Sequence, residues 1–203
     1  MKDRIQAFSK KSLSLFLALI MIITILPYNA ITAEAANRND VVDKLMSIAT
    51  SEKIGYYSDD NKYTHWYGKI GGSYKYYWCA TFVSWCINQA GILTKVVPKT
   101  AGCSPMADAL NKQGVLYSPS NYTPQKGDIV FFTNGKSKYS HVGFILEYNS
   151  KTKKIRTVEG NTGWGNYLSS CVNIKWRDPN YKAFKVSAYA HPNYGSSHVS
   201  SFI

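Results

Sequence analysis

The chain has 203 residues, with 24 basic against 12 acidic side chains, a formal charge of +12 and four cysteines. That length accommodates one domain with a real core and leaves too little for a second. The charge implies attraction to polyanions. Nucleic acid is set aside as a partner because the lysines are scattered and no nucleic-acid-binding motif is present.

The chain opens with Lys2, Arg4, Lys10 and Lys11, followed by a run over residues 13–26 that is apolar except for Ser14 and Thr24. Pro27 breaks the run, and Ala33-Glu34-Ala35 supplies small residues before Ala36. This is the layout of a secretory signal peptide over residues 1–35, and the run is too short to anchor in a membrane, which takes about 20 apolar residues. Removing it leaves 20 basic and 10 acidic residues. The remaining chain is expected to be exported and soluble, with no transmembrane segment.

From Asn39 to about Ile54, Val41, Val42, Leu45, Met46, Ile48 and Ala49 recur at helical spacing, with Asn39 as N-cap and Gly55 as the stop. Residues 56–77 form a polar, tyrosine-rich connector. Asp59-Asp60-Asn61 within it could offer oxygens to calcium, but the spacing is not that of an EF-hand loop, so a solvated turn is expected. His65 reads as a surface or packing residue.

Next comes Trp78-Cys79-Ala80-Thr81-Phe82-Val83-Ser84-Trp85-Cys86, a helix-compatible run through Ala90 that stops at Gly91. A helix starting at Cys79 sets the thiol beside free backbone N–H groups and the positive end of the helix dipole. Both favour the thiolate, which is the nucleophilic form. A shorter helix is expected with Ser104 as N-cap, Pro105 in the first turn and Gly114 past the end. Residues 118–124 form a loop.

From Gly127 the pattern changes to strands: Asp128–Phe132 as a central strand, His141–Tyr148, Ile155–Glu159, and two more near 170–176 and 181–190. Short turns at Asn134-Gly135 and over 149–153 favour antiparallel pairing. Helices first and strands afterwards give an α+β domain, with N-terminal helices packed on a curled antiparallel sheet of about five strands. The tail, residues 191–203, is expected to be flexible.

A thiol nucleophile needs a base and a polar group that holds the base in one tautomer. Of the four histidines, His141 alone opens a core strand. The neighbouring strand ends in Val158-Glu159-Gly160-Asn161, which brings two polar side chains to the same end of the sheet. Glu159 can accept from the imidazole, and Asn161 can orient the ring or donate to a developing oxyanion.

Four segments then resemble one known family in order: Tyr77 to Cys86, Pro124 to Phe132, Ser140-His141-Val142-Gly143-Phe144 and Val158-Glu159-Gly160-Asn161. They are similar to the CHAP domain, the cysteine, histidine-dependent amidohydrolase/peptidase, over about residues 40–190. The resemblance implies a papain-like fold at residues 36–190 that cuts amide bonds of bacterial peptidoglycan. It assigns Cys79 as nucleophile, His141 as base, Glu159 as the acid orienting the histidine and Asn161 as the accompanying amide. It gives Gly127-Asp128 a structural turn.

Trp78, Tyr76, Tyr77 and Trp164 are expected to line a substrate groove. No metal or cofactor is expected. Peptidoglycan is the expected partner, with anionic wall polymers held by the basic surface, and the protein is expected to act as a monomer. Among the cysteines, Cys86 with Cys103 is the favoured bridge, a pairing that similar domains also support. The alternatives are a catalytically silent wall-binding module on the same fold, an NlpC/P60-type endopeptidase, and an acyltransferase using the same thioacyl chemistry.

Overall fold

The computed structural model describes residues 38–52, 55–163 and 170–195. The expected signal peptide lies outside them. Asp40–Tyr194 form one compact unit, and no helix of the described residues is long and apolar enough to cross a membrane.

Helix α1 covers 38–51, so Asn39 sits inside it and does not cap it. Val42, Leu45, Met46 and Ala49 are buried along one face, the i, i+3, i+4, i+7 stripe that the sequence shows. Gly55 does not stop this helix; it opens the short strand β1, Gly55–Tyr57. A six-residue helix, α2 (Lys62–Tyr67), occupies the middle of the expected connector. Asn61 is its N-cap, accepting from the N–H groups of Tyr63 and Thr64. The Asp-Asp-Asn run is therefore a helix start, and His65 stacks on Tyr74 and meets Asp60 at 2.6 Å.

Helix α3 is Cys79–Gln89, α4 is Leu93–Val96, and α5 is Cys103–Lys112 with Gly102 at the N-cap. The expected cap at Ser104 is thus displaced by two residues, because the helix begins on Cys103. Gly91 and Gly114 follow α3 and α5 with φ of 82° and 71°, a region where glycine has no Cβ to clash.

The remaining strands are β2 (Leu116–Tyr117), β3 (Ile129–Thr133), β4 (His141–Tyr148), β5 (Ile155–Glu159), β6 (Ser170–Arg177) and β7 (Lys185–Ala190). All pair antiparallel in the order β1-β6-β5-β4-β3-β7-β2. The five expected strands form the centre, and β1 and β2 add two short edges. The sheet is open between those edges and does not curl closed.

The chain is α+β. One face of the sheet, with Ile129, Phe131, Val142, Phe144 and Val158, joins the helices in a single core; the other buries Val130, Phe132, Ile145, Ile155, Val186 and Tyr189 in a second cluster. Burial on both faces explains why β3 reads as an unbroken apolar run with no alternation.

The turn into β3 is fixed from two sides. Gly127 has φ 90°, and a Cβ there would lie 2.7 Å from Val42 of α1. Asp128, fully buried, accepts from Tyr122 Oη at 2.8 Å and Gln125 N at 2.7 Å, and its other oxygen is 2.7 Å from His191 Nδ1. Tyr194 is buried and donates to the Gly127 carbonyl at 2.7 Å. The first residues of the expected flexible tail are therefore docked on this turn, because they complete its hydrogen bonding.

Candidate active site

Glu159 ends β5 with no exposure to solvent, so its charge requires partners. Four donors converge on it. Thr157, two residues back on the same strand face, donates its hydroxyl to Oε1 at 2.5 Å. Arg177, the last residue of β6, places Nε 2.9 Å from Oε1 and Nη2 2.5 Å from Oε2. His141, the first residue of β4, brings Nε2 to 3.0 Å from Oε2.

Position 143 must be glycine for this to fit. A Cβ there would fall 2.7 Å from Glu159 Cγ and 2.8 Å from the Val158 carbonyl oxygen. Burial alone would push the Glu159 carboxyl up, but the bonds and charges of His141 and Arg177 hold it well below the usual carboxylate range.

His141 is itself buried, against the stacked rings of Phe132 and Phe184, whose centres lie 5.9 Å and 5.4 Å away. Arg177 spreads its guanidinium over the same two rings, 5.6 Å and 5.0 Å from their centres. Burial lowers the pKa of the imidazole, yet the charge and hydrogen bond of Cys79, together with those of Glu159, raise it from 6.5 to about 9. With Nε2 engaged by Glu159, Nδ1 is the nitrogen that can serve the sulfur.

Cys79 is the first residue of α3, and the helix has no side-chain cap. Its thiol is held well below the ordinary range by hydrogen bonding from Cys103, against the cost of burial, with further help from the His141 imidazole and the N–H of Ala80. Cys103 Sγ lies 3.6 Å from Cys79 Sγ. A thiolate beside an imidazolium, backed by a carboxylate, is the arrangement for nucleophilic attack on a carbonyl.

Gly160 brings the end of β5 against the root of α3: a Cβ at that position would come within 2.5 Å of Phe82 Cγ and 2.8 Å of Trp78 Cζ3. Asn161 follows with φ 51°, a left-handed conformation that asparagine tolerates, and is half-buried. Continuing the Phe144↔Val158 register past the strand end puts position 161 across from position 141.

The structure corrects several expectations. Trp78 is wholly buried and stacks on Tyr63 at 5.0 Å, so it belongs to the core and not to a groove. Tyr76 directs its hydroxyl inward, to the carbonyls of Thr64 and Gly68 at 3.2 Å and 3.0 Å, tying the loop before Cys79 to α2. Tyr77 is 86% exposed, and Trp164 lies outside the described residues. All four cysteines are free, and the favoured Cys86–Cys103 bridge is not formed. Cys86 sits seven residues along α3, about 10 Å from Cys79 by helix rise, while Cys103 lies against Cys79 itself.

Thr157 and Arg177 were not anticipated, and Cys103 was expected only as a bridge partner of Cys86, not beside Cys79. Period-two alternation could have placed Thr157 beside Glu159. Arg177 carries no motif, and its role depends on the β5–β6 pairing.

No curated protein sequence matches the chain. Among solved structures it is similar to "The crystal structure of Ly7917", at 14% identity and a TM-score of 0.44. The similarity covers 75% of this chain and 62% of that one, so this chain matches about three-fifths of that protein's length. Residues 71–161 match the family model for the CHAP domain. That span runs from the loop before Cys79 through His141 and Glu159 to Asn161, and the match is consistent with a protein of the CHAP domain family.

Proposed function

We propose that the protein is an exported cysteine hydrolase that cuts amide bonds of bacterial peptidoglycan through a thioacyl intermediate on Cys79. CHAP domains act as amidase or peptidase hydrolases on peptidoglycan, and export follows from the composition of residues 1–35. The observation that carries the reading is the buried line Cys79, His141, Glu159, with Nε2 bonded to the carboxylate and the sulfur beside the ring.

In this reading the Cys79 thiolate attacks the amide carbon, and the carbonyl electrons move to oxygen. The N–H of Cys79 and the Asn161 amide are the proposed donors to that oxyanion; losing one such donor typically costs about 10²–10³ in rate. His141 gives its proton to the leaving amine as the C–N bond breaks. The neutral ring then takes a proton from water, whose oxygen attacks the thioester and frees the thiolate. Glu159 keeps the ring in register throughout, and the exposed Tyr77 is the proposed contact for substrate beside the nucleophile.

Digestion of purified sacculi, with muropeptides read by mass spectrometry, tests this. Wild type is expected to release new fragments and Cys79→Ala none. Identical product spectra from the two proteins would defeat the hydrolase reading and favour a binding module.

A further inference from the structure

Hydrolysis requires one thiol, yet two meet at the site. Cys79 and Cys103 are each the first residue of their helices, α3 and α5, and their sulfurs are 3.6 Å apart. The other two cysteines are held elsewhere. Cys86 is buried near Glu52 and Lys62, and Cys171 donates to the Thr162 carbonyl at 2.7 Å. Cys103 is partly exposed, so the pair can be reached from solvent on its side.

We propose that Cys79 and Cys103 form a redox site: a hydroperoxide converts the pair to a disulfide, silencing the nucleophile, and a small thiol restores it. The proposal rests on the reading of Cys79 as the nucleophile. In the first step the Cys79 thiolate attacks the terminal peroxide oxygen and the O–O bond breaks; Cys79 sulfenic acid forms, and the other oxygen takes the His141 imidazolium proton and leaves as water or an alcohol. In the second step Cys103 sulfur attacks Cys79 sulfur, the S–O bond breaks, and the thiol proton of Cys103 leaves with the hydroxide as water.

Two thiols are thereby oxidised by two electrons and one hydroperoxide is reduced. Closure requires the sulfurs to approach by about 1.5 Å, from 3.6 Å to the length of an S–S bond. The protonation states suit these roles. Cys79 is the thiolate, the form that reacts with an oxidant, and Cys103, raised by its bond to Cys79 and by burial, keeps its proton until the second step.

The consequence is protection. A sulfenic acid with no neighbouring thiol proceeds to sulfinic and sulfonic acids, which a thiol reductant does not reverse.

The test treats the full exported chain with hydrogen peroxide, followed by dithiothreitol. Readouts are sacculus digestion and non-reducing peptide mapping after chymotrypsin, which cuts after Phe82 and Trp85 and so separates Cys79 from Cys86. Wild type is expected to yield a Cys79–Cys103 linked peptide, to lose digestion and to regain it on reduction. Cys103→Ser and Cys103→Ala are expected to lose digestion irreversibly, with Cys79 carried to the sulfinic and sulfonic acids.

Bridging of Cys79 to Cys86 or Cys171 would overturn the proposal. So would equal, irreversible oxidation of Cys79 in wild type and in both variants. If the linked peptide forms but reduced wild type digests nothing, the redox site stands and the hydrolase reading fails.

Discussion

A single carboxylate decides the chemistry of the site. Glu159 has no contact with water, and its ionised form persists because Arg177 grips it with two nitrogens while Thr157 and His141 supply further donors. That negative charge and the Cys79 sulfur together hold the His141 proton up to about 9. A group whose folded pKa lies above its ordinary 6.5 contributes stability that is full below 6.5 and lost as the pH rises through about 9. Activity is expected to share that limit: kcat/KM should fall on the alkaline side with an apparent pKa near 9, as the leaving amine loses its proton donor. A pH–rate profile on solubilised muropeptides checks it.

Residue identity drew Cys79, His141 and Glu159 out of the sequence as candidates, because few side chains can serve as a thiol nucleophile or its base, and the structure brings the three together. Trp78 was misread because an aromatic ring suits a groove and a core equally well, and only Tyr63 beneath it tells them apart.

At the scale of elements, glycines at two crossings let strands and helix approach closely enough to assemble the site. Gly143 lies under the Glu159 side chain, and Gly160 presses on Phe82 and Trp78 at the start of α3. Gly143→Ala is expected to cost about 1–3 kcal/mol of stability through overpacking. It should also abolish activity, since its methyl group occupies the space of Glu159 Cγ. Denaturant melts and sacculus digestion measure the two effects separately.

The strands were readable because apolar β-branched and aromatic runs bounded by turn residues have few other uses. Asn134 and Asn149, whose side chains accept from backbone N–H groups two and three residues on, close the turns where expected. Helix α2 escaped notice because Lys-Tyr-Thr-His-Trp-Tyr is too short for a 3.6-residue period to show, and its aromatic residues look like loop. The true start of α5 was hidden for a related reason: Gly102 caps without a side chain.

Across the whole molecule, the sheet order brings together groups that are distant in the chain. Cys79 arrives on α3, His141 on β4, Glu159 on β5 and Arg177 on β6, and the antiparallel neighbours β4, β5 and β6 align the last three. The order of motifs along the sequence announced the first three. Arg177 could not be read there, because its place depends on pairing across two strands.

The far end of β3 is closed by the segment after β7, where His191 meets Asp128 and Tyr194 meets Gly127. Composition alone misjudged this segment as loose, since small polar residues give no sign of a buried tyrosine within them. Tyr194→Phe is expected to cost about 0.5–1.5 kcal/mol in a denaturant melt and to leave activity unchanged.

The convergence of these elements on one ionised sulfur is tested most directly by the pH dependence of Cys79 alkylation with iodoacetamide, followed by peptide mapping. In the intact chain alkylation is expected to be half-maximal well below the ordinary thiol pKa of 9.0. His141→Ala should move that midpoint upward. An ordinary thiol profile at Cys79 that His141→Ala leaves unchanged would contradict the thiolate–imidazolium pair.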